Sequence, residues 1–381
     1  MAKILFVGDI AIVNKVEACV LDEKLQEIFL RYDYRACNIE GPISNKKLVP
    51  HPKAGPHLLQ NECVKDLLAG LSFSLFCLAN NHIMDYGKIG LEETIVHLSG
   101  IPNSNYIGAG LSISDAYAPL FIEIDNVKIA FINAAENSFG VNLEFGEDSA
   151  GHAWLFSERF GKLIKETKTK CDKLILISHA GLENLDVPMP EWRRVYKEFV
   201  DMGVDVIIGH HPHVVQGWEK YNNGLIFYSL GNFLWKKNQE TKAYETIAVG
   251  LDIEKNRLDY EVVPIRVDSS DSSCMHLGYG DNWDYFDSLC IQLDEKHQKA
   301  LNDKVDSFCL DSYEKYFPSY LCYSSGNIRT TSIKSYIKQI IKDVLCLRRV
   351  DDVFTFHNIA VETNNWLCQR AIKSKWTKNN N

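Results

Sequence analysis

The chain has 381 residues, which is enough for one large domain or two ordinary ones and for a sizeable hydrophobic core. Its formal net charge of −9 argues against a nucleic-acid-binding protein, which normally carries a basic domain. The 11 cysteines form no CxxC pair, and an odd number of this kind indicates small core residues in a reducing compartment and excludes a disulfide framework.

The first residues have the pattern of a β-strand. The apolar run Ile4–Val7 leads directly into Gly8-Asp9 and is too short for the core of a signal peptide. No segment approaches the ~20 consecutive apolar residues that a membrane helix needs. We therefore expect a cytoplasmic location and no transmembrane segment.

Residues 1 to about 270 alternate between short apolar runs and helical patterns. In chain order the strands are predicted at Lys3–Val7, Arg35–Ile39, Ser74–Ala79, Leu120–Ile124, Val127–Ile132, Lys173–Ser178, Asp205–Ile208 and Leu225–Ser229, and the helices at Asn61–Ala69, Ile89–Leu98, Glu158–Lys168 and Glu191–Met202. Most of these strands are apolar without alternation, which is typical of strands covered on both faces. Alternating strands and helices indicate an α/β layered fold.

The pattern changes from about residue 245 onward. Glu245–Ile253 and Arg257–Val267 predict an antiparallel hairpin that closes the sheet. The small polar stretch Asp268–Ser273 predicts a domain boundary near residue 270. Residues 271–381 are predicted to form a mainly helical C-terminal extension, with an apolar stripe that begins at Ile333, and docking of a partner is one role that it could have.

Polar side chains with the chemistry of metal ligands follow five of the predicted strands. They are Asp9, Glu40, Asn81, His179, His211 and His213. In open α/β sheets ligands bind beyond the carboxyl ends of the strands, so we expect these side chains to meet at one edge. Carboxylate, amide and imidazole groups suit manganese, zinc or iron. Any single histidine is more often a core or surface residue, and the prediction of two divalent ions depends on the whole set.

The segment His211-Pro212-His213 places two imidazoles two residues apart. Because Pro212 disfavours the helical region at His211, we expect an extended segment in which both rings point the same way. His82 directly follows Asn81 and is placed to protonate a leaving oxygen. Two ions at such a site activate water and stabilise both oxygens of an in-line displacement.

Six sequence blocks carry a family resemblance. They are GD at 8–9, NIEGP at 38–42, ANNH at 79–82 with Asp85 and Gly87, HAGLE at 179–183, GHHPHVVQG at 209–217 with Glu219, and YSLGNF at 228–233. In this order they resemble the CapA family, of the poly-γ-glutamate capsule biosynthesis type, within the calcineurin-like metallophosphoesterase superfamily. The resemblance covers about residues 3 to 265, and beyond 270 no family is apparent.

The resemblance implies a four-layer α/β/β/α sandwich with a dinuclear metal centre. It assigns the six residues above to the metals and makes Asp9 and His82 the catalytic residues. The residues that it implies for the substrate cleft are Asn80, Glu183, Gln216, Glu219 and Asn232. For all of these but Asn80 the alternative role is to fix loops by hydrogen bonds, whereas Asn80 and Asn81 could together cap a helix.

The chain departs from the wider superfamily at two ligand positions. Ala11 stands where a histidine is usual, and Glu40 stands where an aspartate is usual. Many CapA-type proteins also have an N-terminal membrane anchor, which we do not find. The leading hypothesis is a metal-dependent hydrolase that cleaves a phosphoester, or a related bond, during surface-polymer metabolism. A non-catalytic accessory component that binds an anionic chain, and a metal-dependent γ-glutamyl amidase, remain open as alternatives.

Overall fold

A computed structural model describes residues 1–53, 55–138, 149–236, 243–271, 273–316 and 360–379. Contacts divide the chain into two compact units, one of Met1–His51 with His57–Gln298 and one of Pro52–Pro56 with Lys299–Asn381. Within the described residues the elements are β1 (Ala2–Ile12), β2 (Ala18–Leu21), α1 (Glu23–Leu30), β3 (Tyr34–Ile39), α2 (Cys63–Gly70), β4 (Leu75–Cys77), α3 (Gly87–Ser99), β5 (Asn105–Ile107), β6 (Ala109–Gly110), α4 (Ile113–Ala116), β7 (Leu120–Ile124), β8 (Val127–Ala135), β9 (Gly151–His152), α5 (Glu158–Lys168), β10 (Lys173–His179), α6 (Pro190–Asp201), β11 (Val206–His210), β12 (Val215–Tyr221), β13 (Gly224–Leu230), β14 (Asn232–Lys236), β15 (Ala243–Ile253), β16 (Leu258–Asp268), β17 (Cys274–Tyr279), α7 (Trp283–Ile291), α8 (Gln298–Tyr316) and α9 (Glu362–Asn379).

The larger sheet has the strand order β2-β17-β16-β15-β1-β3-β4-β5. Strand β1 pairs in parallel with β3, and β15 pairs antiparallel with its first half, Ala2–Phe6. The second half, from Asp9 onward, pairs in parallel with β14 instead, and the register shifts between Asp9 and Ile10. A side chain at Gly8 would collide with the carbonyl oxygen of Gly231, so the glycine permits the close approach that puts Asp9 beside Asn232.

The smaller sheet has the strand order β12-β13-β11-β10-β8-β7. Its central strands β8, β10, β11 and β13 run parallel, and the outer strands β7 and β12 run antiparallel to their neighbours. The turn Asp125-Asn126 joins β7 to β8, and both residues have positive φ angles, 51° and 63°. Aspartate and asparagine tolerate this region better than most residues, which explains the turn.

Two hydrophobic cores and a helical cover define the layers. Phe6 of the larger sheet and Phe131 of the smaller sheet lie in the core between the sheets. The other face of the larger sheet packs against α1, α2 and α3 through residues such as Phe29. The outer face of the smaller sheet is covered by α5 and α6, where Tyr196 contacts Ser178 of β10 and stacks on Tyr228 of β13. The predicted four-layer α/β/β/α sandwich is confirmed.

Each predicted strand and helix overlaps an element of the structure, although β4 contains only three of the six residues predicted at Ser74–Ala79, and the hairpin after residue 245 is antiparallel as expected. The larger sheet continues past the predicted boundary, because β17 pairs with β16 and with β2. The division at residue 270 stays a prediction. The apolar stripe that begins at Ile333 lies outside the described residues.

The described part of the second unit contains two helices, α9 and all but the first residue of α8, together with a short non-helical piece at 52–53 and 55–56. Within this unit Lys375 of α9 forms an ion pair with Glu314 of α8 at 3.1 Å. Among the described residues there is no helix both long enough and apolar enough to cross a membrane. The cytoplasmic location stays a prediction.

Asn133 of β8 links the two sheets through its side-chain amide. Its Oδ1 accepts a hydrogen bond of 2.8 Å from the backbone N–H of Ala79, which follows β4 of the larger sheet. Its Nδ2 donates to the carbonyl of Ile177 in β10 at 3.0 Å. Asn133 is 4% exposed, so these backbone groups have no ready access to replacement water.

We expect Asn133→Ala to lower the free energy of unfolding by about 1–3 kcal/mol, because it removes the partner of a buried N–H group. Urea unfolding followed by tryptophan fluorescence measures the change. The matched control is Asn256→Ala, at an exposed residue in the turn between β15 and β16. Equal unfolding midpoints for the two variants would contradict a structural role for the Asn133 link.

Candidate metal centre

The carboxyl ends of strands from both sheets meet at one cleft. Asp9 lies near the end of β1 and is fully buried. Its Oδ1 accepts a 2.8 Å hydrogen bond from Asn38 of β3 and lies 2.9 Å from Nδ1 of His210, at the end of β11 in the smaller sheet. The backbone N–H of His211 donates to the other oxygen at 3.3 Å. The Asp9 carboxylate therefore joins the two sheets at this edge.

A first group of candidate ligands surrounds His213. Ligand atoms of Asp9, Glu40 and His213 all lie within 4.8 Å of one another. The Nδ1 atom of His213 is 3.6 Å from Asp9 Oδ2, and its Nε2 atom is 3.6 Å from Glu40 Oε1. Both carboxylates are fully buried, where an uncompensated charge costs several kcal/mol. This arrangement suits a cation.

A second group lies next to the first. The Nε2 atom of His179 is 3.1 Å from Asn81 Oδ1 and 3.1 Å from Nδ1 of His211. These three donor atoms come from the ends of β4, β10 and β11, in two different sheets. The structure thus brings together all six residues that were predicted as metal ligands, in two adjoining groups.

Glu183 also reaches this cleft. Its carboxylate lies within 4.8 Å of ligand atoms of His211 and His213, which form a further group able to hold a metal ion. Glu183 belongs to the loop after β10 and is exposed, unlike Asp9 and Glu40. Glu183 is therefore a carboxylate of the cleft that contacts solvent, whereas Asp9 and Glu40 lie buried at its base.

The prediction of an extended His211–His213 segment is wrong. His211 has a φ angle of +95° and His213 a φ angle of +61°, so both residues lie outside the extended region. The preference that Pro212 imposes is overcome by tertiary contacts, since Asn184 donates its backbone N–H to the Pro212 carbonyl at 2.8 Å. The two rings still lie near each other, with centroids 5.8 Å apart.

The buried imidazoles have opposite electrostatic surroundings. Burial, reinforced by His211, holds the pKa of His179 well below its ordinary value, and burial lowers the pKa of His211 to about 4. Burial also disfavours charge on His213, but Glu40 and Asp9 outweigh it and raise its pKa to about 9. Burial raises the pKa of the Asp9 carboxyl, yet His210, His213 and His179 together hold it well below the usual range. At neutral pH the ion-free protein therefore has an imidazolium between two carboxylates.

This donor set fits a divalent cation. Carboxylate, imidazole and amide groups are ligands for manganese, iron and zinc, and neutral imidazoles such as His179 and His211 are ready to coordinate. In the ion-free protein the positive charge on His213 balances the negative charges of Asp9 and Glu40. A bound divalent ion would take over this role. The residues present thus support divalent metal binding.

His82 lies at the base of the same cleft, 4% exposed. Its Nδ1 atom is 2.7 Å from Oδ2 of Asp85, which also accepts a 2.6 Å hydrogen bond from the backbone N–H of Leu58. Its Nε2 atom is 3.8 Å from Glu40 Oε1. Because Nδ1–H donates to the Asp85 carboxylate, the orientation of the ring is fixed and Nε2 points toward Glu40.

The residues predicted for the substrate cleft separate into two sets. Asn232 lies in the site, with its Oδ1 atom 3.0 Å from His213 Nδ1, and Glu183 is the exposed carboxylate described above. Asn80 is fully buried and bonds Asn38 and nearby backbone groups, among them the Ile39 carbonyl.

Gln216 and Glu219 form hydrogen bonds that hold neighbouring segments of the scaffold together. Gln216 donates to the carbonyls of Leu185 and Val187, at 2.7 and 3.1 Å. Glu219 accepts hydrogen bonds from Arg193 of α6 and from Tyr228. These contacts match the alternative in which both residues fix loops by hydrogen bonds. A direct role of either residue in substrate binding stays a prediction.

Three residues of the site received no role from the sequence. Asn38 bonds Asp9 and lies 3.3 Å from His179 Nδ1, and His210 contacts Asp9 as described. Glu136, which directly follows β8, has its Oε1 atom 3.8 Å from His211 Nε2 and accepts a hydrogen bond from Gly181 N–H at 3.2 Å. Its signal was present in the sequence, since it is a carboxylate at a strand end, but β8 extends three residues past the predicted end of that strand.

Four layers with acidic, amide and imidazole ligands at the strand ends define the calcineurin-like metallophosphoesterase class. Within it, the chain belongs to the family described as bacterial capsule synthesis protein PGA_cap, whose model matches residues 3–237. It is 32% identical over 272 residues to the PGA biosynthesis protein CapA of Bacillus subtilis, an alignment that covers 69% of this chain and 70% of that protein.

Other similarities are weaker. The capsule biosynthesis protein CapA of Bacillus anthracis is 28% identical over 242 residues, which cover 62% of this chain and 58% of that protein. Among solved structures, the NAD nucleotidase of Haemophilus influenzae aligns with 82% of this chain and 71% of its own at 15% identity, with a TM-score of 0.39. A likeness of that size carries no argument about activity.

We expect binding of Mn²⁺ to compete with the proton on His213. Because the pKa of His213 is about 9, the neutral ring becomes more abundant as pH rises, and the dissociation constant should fall by up to about tenfold per pH unit between pH 6.5 and 8.5. His179 and His211 contribute no slope, because their pKa values are lowered and both rings are already neutral.

Isothermal titration calorimetry at several pH values measures this slope. In His213→Asn the affinity should be weaker and the slope should be lost, since asparagine does not titrate in this range. An affinity for Mn²⁺ that stays constant from pH 6.5 to 8.5 in the unmodified protein would rule out a proton on His213 that the ion displaces.

Proposed function

We propose that the protein is a metal-dependent hydrolase that cleaves a phosphoester, or a related bond, in the synthesis or processing of an anionic surface polymer of the poly-γ-glutamate type. The observation that carries the proposal is the convergence of six ligand residues, from Asp9 to His213, at one cleft. Family membership supports the link to capsule synthesis.

When bound, two divalent ions would supply an activated water and electrostatic stabilisation of the transition state. Asp9, Glu40 and His213 would hold one ion, and Asn81, His179 and His211 the other. Asn38 donates to Asp9 and fixes the orientation of this carboxylate. These contacts place the ligands before any substrate arrives, and such preorganisation is a main source of catalytic stabilisation.

His82 is the proton donor in this proposal. Its Nδ1–H is held by Asp85, so a proton on Nε2 faces the side of the cleft where Glu40 lies. A leaving oxygen in that position accepts this proton as the bond to it breaks. Because the ring is 4% exposed, bulk water has little access to it.

The family and the chemistry of the site support the proposed substrate class. The names of the relatives in Bacillus refer to PGA biosynthesis and to capsule biosynthesis. A pair of divalent ions also attracts anionic chains, so an accessory role in polymer binding and a γ-glutamyl amidase activity use the same cleft. The choice of substrates in the experiment below separates these functions.

We expect the purified protein, stripped with a chelator and reloaded with Mn²⁺ or Zn²⁺, to hydrolyse an aryl phosphate monoester or diester. Asp9→Asn and His211→Asn should each lower kcat/KM by about 100-fold or more, because each removes a ligand of a proposed ion. The assay follows release of p-nitrophenol from p-nitrophenyl phosphate and from bis-p-nitrophenyl phosphate.

His276→Asn, at an exposed histidine of β17, is the matched control and should retain full activity. A γ-glutamyl p-nitroanilide is assayed in parallel. Turnover of this compound alone would favour the γ-glutamyl amidase activity over the phosphoesterase activity. Ion binding without turnover of any of these substrates, together with retention of poly-γ-glutamate, would favour the accessory role. Phosphoester turnover unchanged in both site variants would sink the proposal.

We expect Asp85→Asn to lower kcat by about 10- to 100-fold while metal content, measured by atomic emission, stays at the level of the unmodified protein. Asp85 acts through the ring of His82, so kcat should fall while KM for the phosphoester and the urea unfolding midpoint stay near those of the unmodified protein. A lower kcat together with a lower unfolding midpoint would mean that Asp85 only supports the fold.

A further inference from the structure

The loop that follows β10 is fixed to its surroundings along its length. Ala180 donates its N–H to the His210 carbonyl at 3.1 Å, and Gly181 donates to Glu136. Asn184 donates to the Pro212 carbonyl, and Gln216 donates to the carbonyl of Leu185. The backbone on either side of Glu183 is thus held against the loop that carries His211 and His213.

Glu183 is the single charged side chain between residues 180 and 185. Its carboxylate lies within 4.8 Å of a ring nitrogen of His211 and a ring nitrogen of His213, while the loop backbone is anchored on both sides. A mobile surface glutamate would lose considerable side-chain entropy on coordinating an ion. Because the backbone here is already fixed, the entropy lost when Glu183 coordinates an ion is mainly that of its side chain.

The buried ligands leave room for another donor. The two groups of candidate ligands, Asp9, Glu40 and His213 and Asn81, His179 and His211, offer three donors each, whereas zinc is almost always four-coordinate and manganese favours six oxygen or nitrogen ligands. Farther along β1, Ala11 has no donor atom, and its partner on β14 is Trp235, whose ring centroid lies 4.4 Å from that of His213. This side of the cleft is therefore covered by carbon and indole, and an additional ligand must come from elsewhere.

We propose that Glu183 is a metal ligand that acts with His211 and His213 and completes coordination from the solvent side of the cleft. The inference rests on the proposed function, since it concerns an ion held in the same site. It gives Glu183 a role different from substrate contact. A carboxylate beside the cleft repels an anionic phosphoester or polyglutamate chain, whereas it attracts a divalent cation.

A second consequence concerns the loop itself. If Glu183 coordinates an ion, then Gln216 and Glu136 are positioning residues, because each fixes the backbone next to the ligand. A ligand role for Glu183 explains why the side-chain amide of Gln216, which is 3% exposed, donates hydrogen bonds to two carbonyls of this loop.

The test compares Glu183→Gln with Glu158→Gln, a matched control at an exposed glutamate in the first turn of α5. Isothermal titration calorimetry with Mn²⁺ gives affinity and stoichiometry, and the visible absorption of Co²⁺ reports the ligand field without any turnover. We expect Glu183→Gln to weaken ion binding by about 10- to 100-fold and to change the Co²⁺ spectrum. Glu183→Asp should recover part of the affinity, and Glu158→Gln should match the unmodified protein.

The outcomes separate this inference from the proposed function. Equal Mn²⁺ affinity, stoichiometry and Co²⁺ spectra in Glu183→Gln and in the unmodified protein would overturn the ligand role and leave the hydrolase proposal standing. A rise in KM for a phosphoester with unaltered ion binding would also overturn it, in favour of substrate contact. Failure of the unmodified protein to bind any divalent ion would remove the proposed function and the inference together.

Discussion

The site depends on one buried carboxylate. Asp9 lies at zero exposure, and a charge in that position is tolerated only when it is paired and hydrogen-bonded. Its partners come from both sheets, since Asn38 belongs to the larger sheet while His210 and the backbone of His211 belong to the smaller sheet and its loop. Satisfying Asp9 therefore requires the two sheet edges to meet, and their meeting brings the other ligands within reach.

Small backbone features make this meeting sterically possible. Gly8 allows β14 to replace β15 beside the end of β1, which places Asn232 next to Asp9. The left-handed conformations of His211 and His213 turn the chain sharply after β11, so both rings enter the cleft. Strained backbone of this kind persists when surrounding contacts determine it, and here the contact with Asn184 does so.

Much of the fold and of the site was predictable from local patterns. Apolar runs without alternation predicted strands such as β10 and β11, and the strand-end rule selected six candidate ligands that do converge. The four-residue strand β2 was missed because it is too short to show a recognisable period. Glu136 was missed because β8 runs to Ala135, three residues beyond the predicted end, so its carboxylate was not recognised as a strand-end residue.

The sequence by itself determined the strands, the residue types at their ends and the family, because these depend on local apolar patterns and on motifs that can be read in order. The tertiary structure decided which polar residues face the cleft and which hold the scaffold. Asn80 and Asn81 are neighbours in the chain, yet one is buried among backbone groups and the other contacts His179. That difference depends on where the second sheet lies, and no local pattern contains this information.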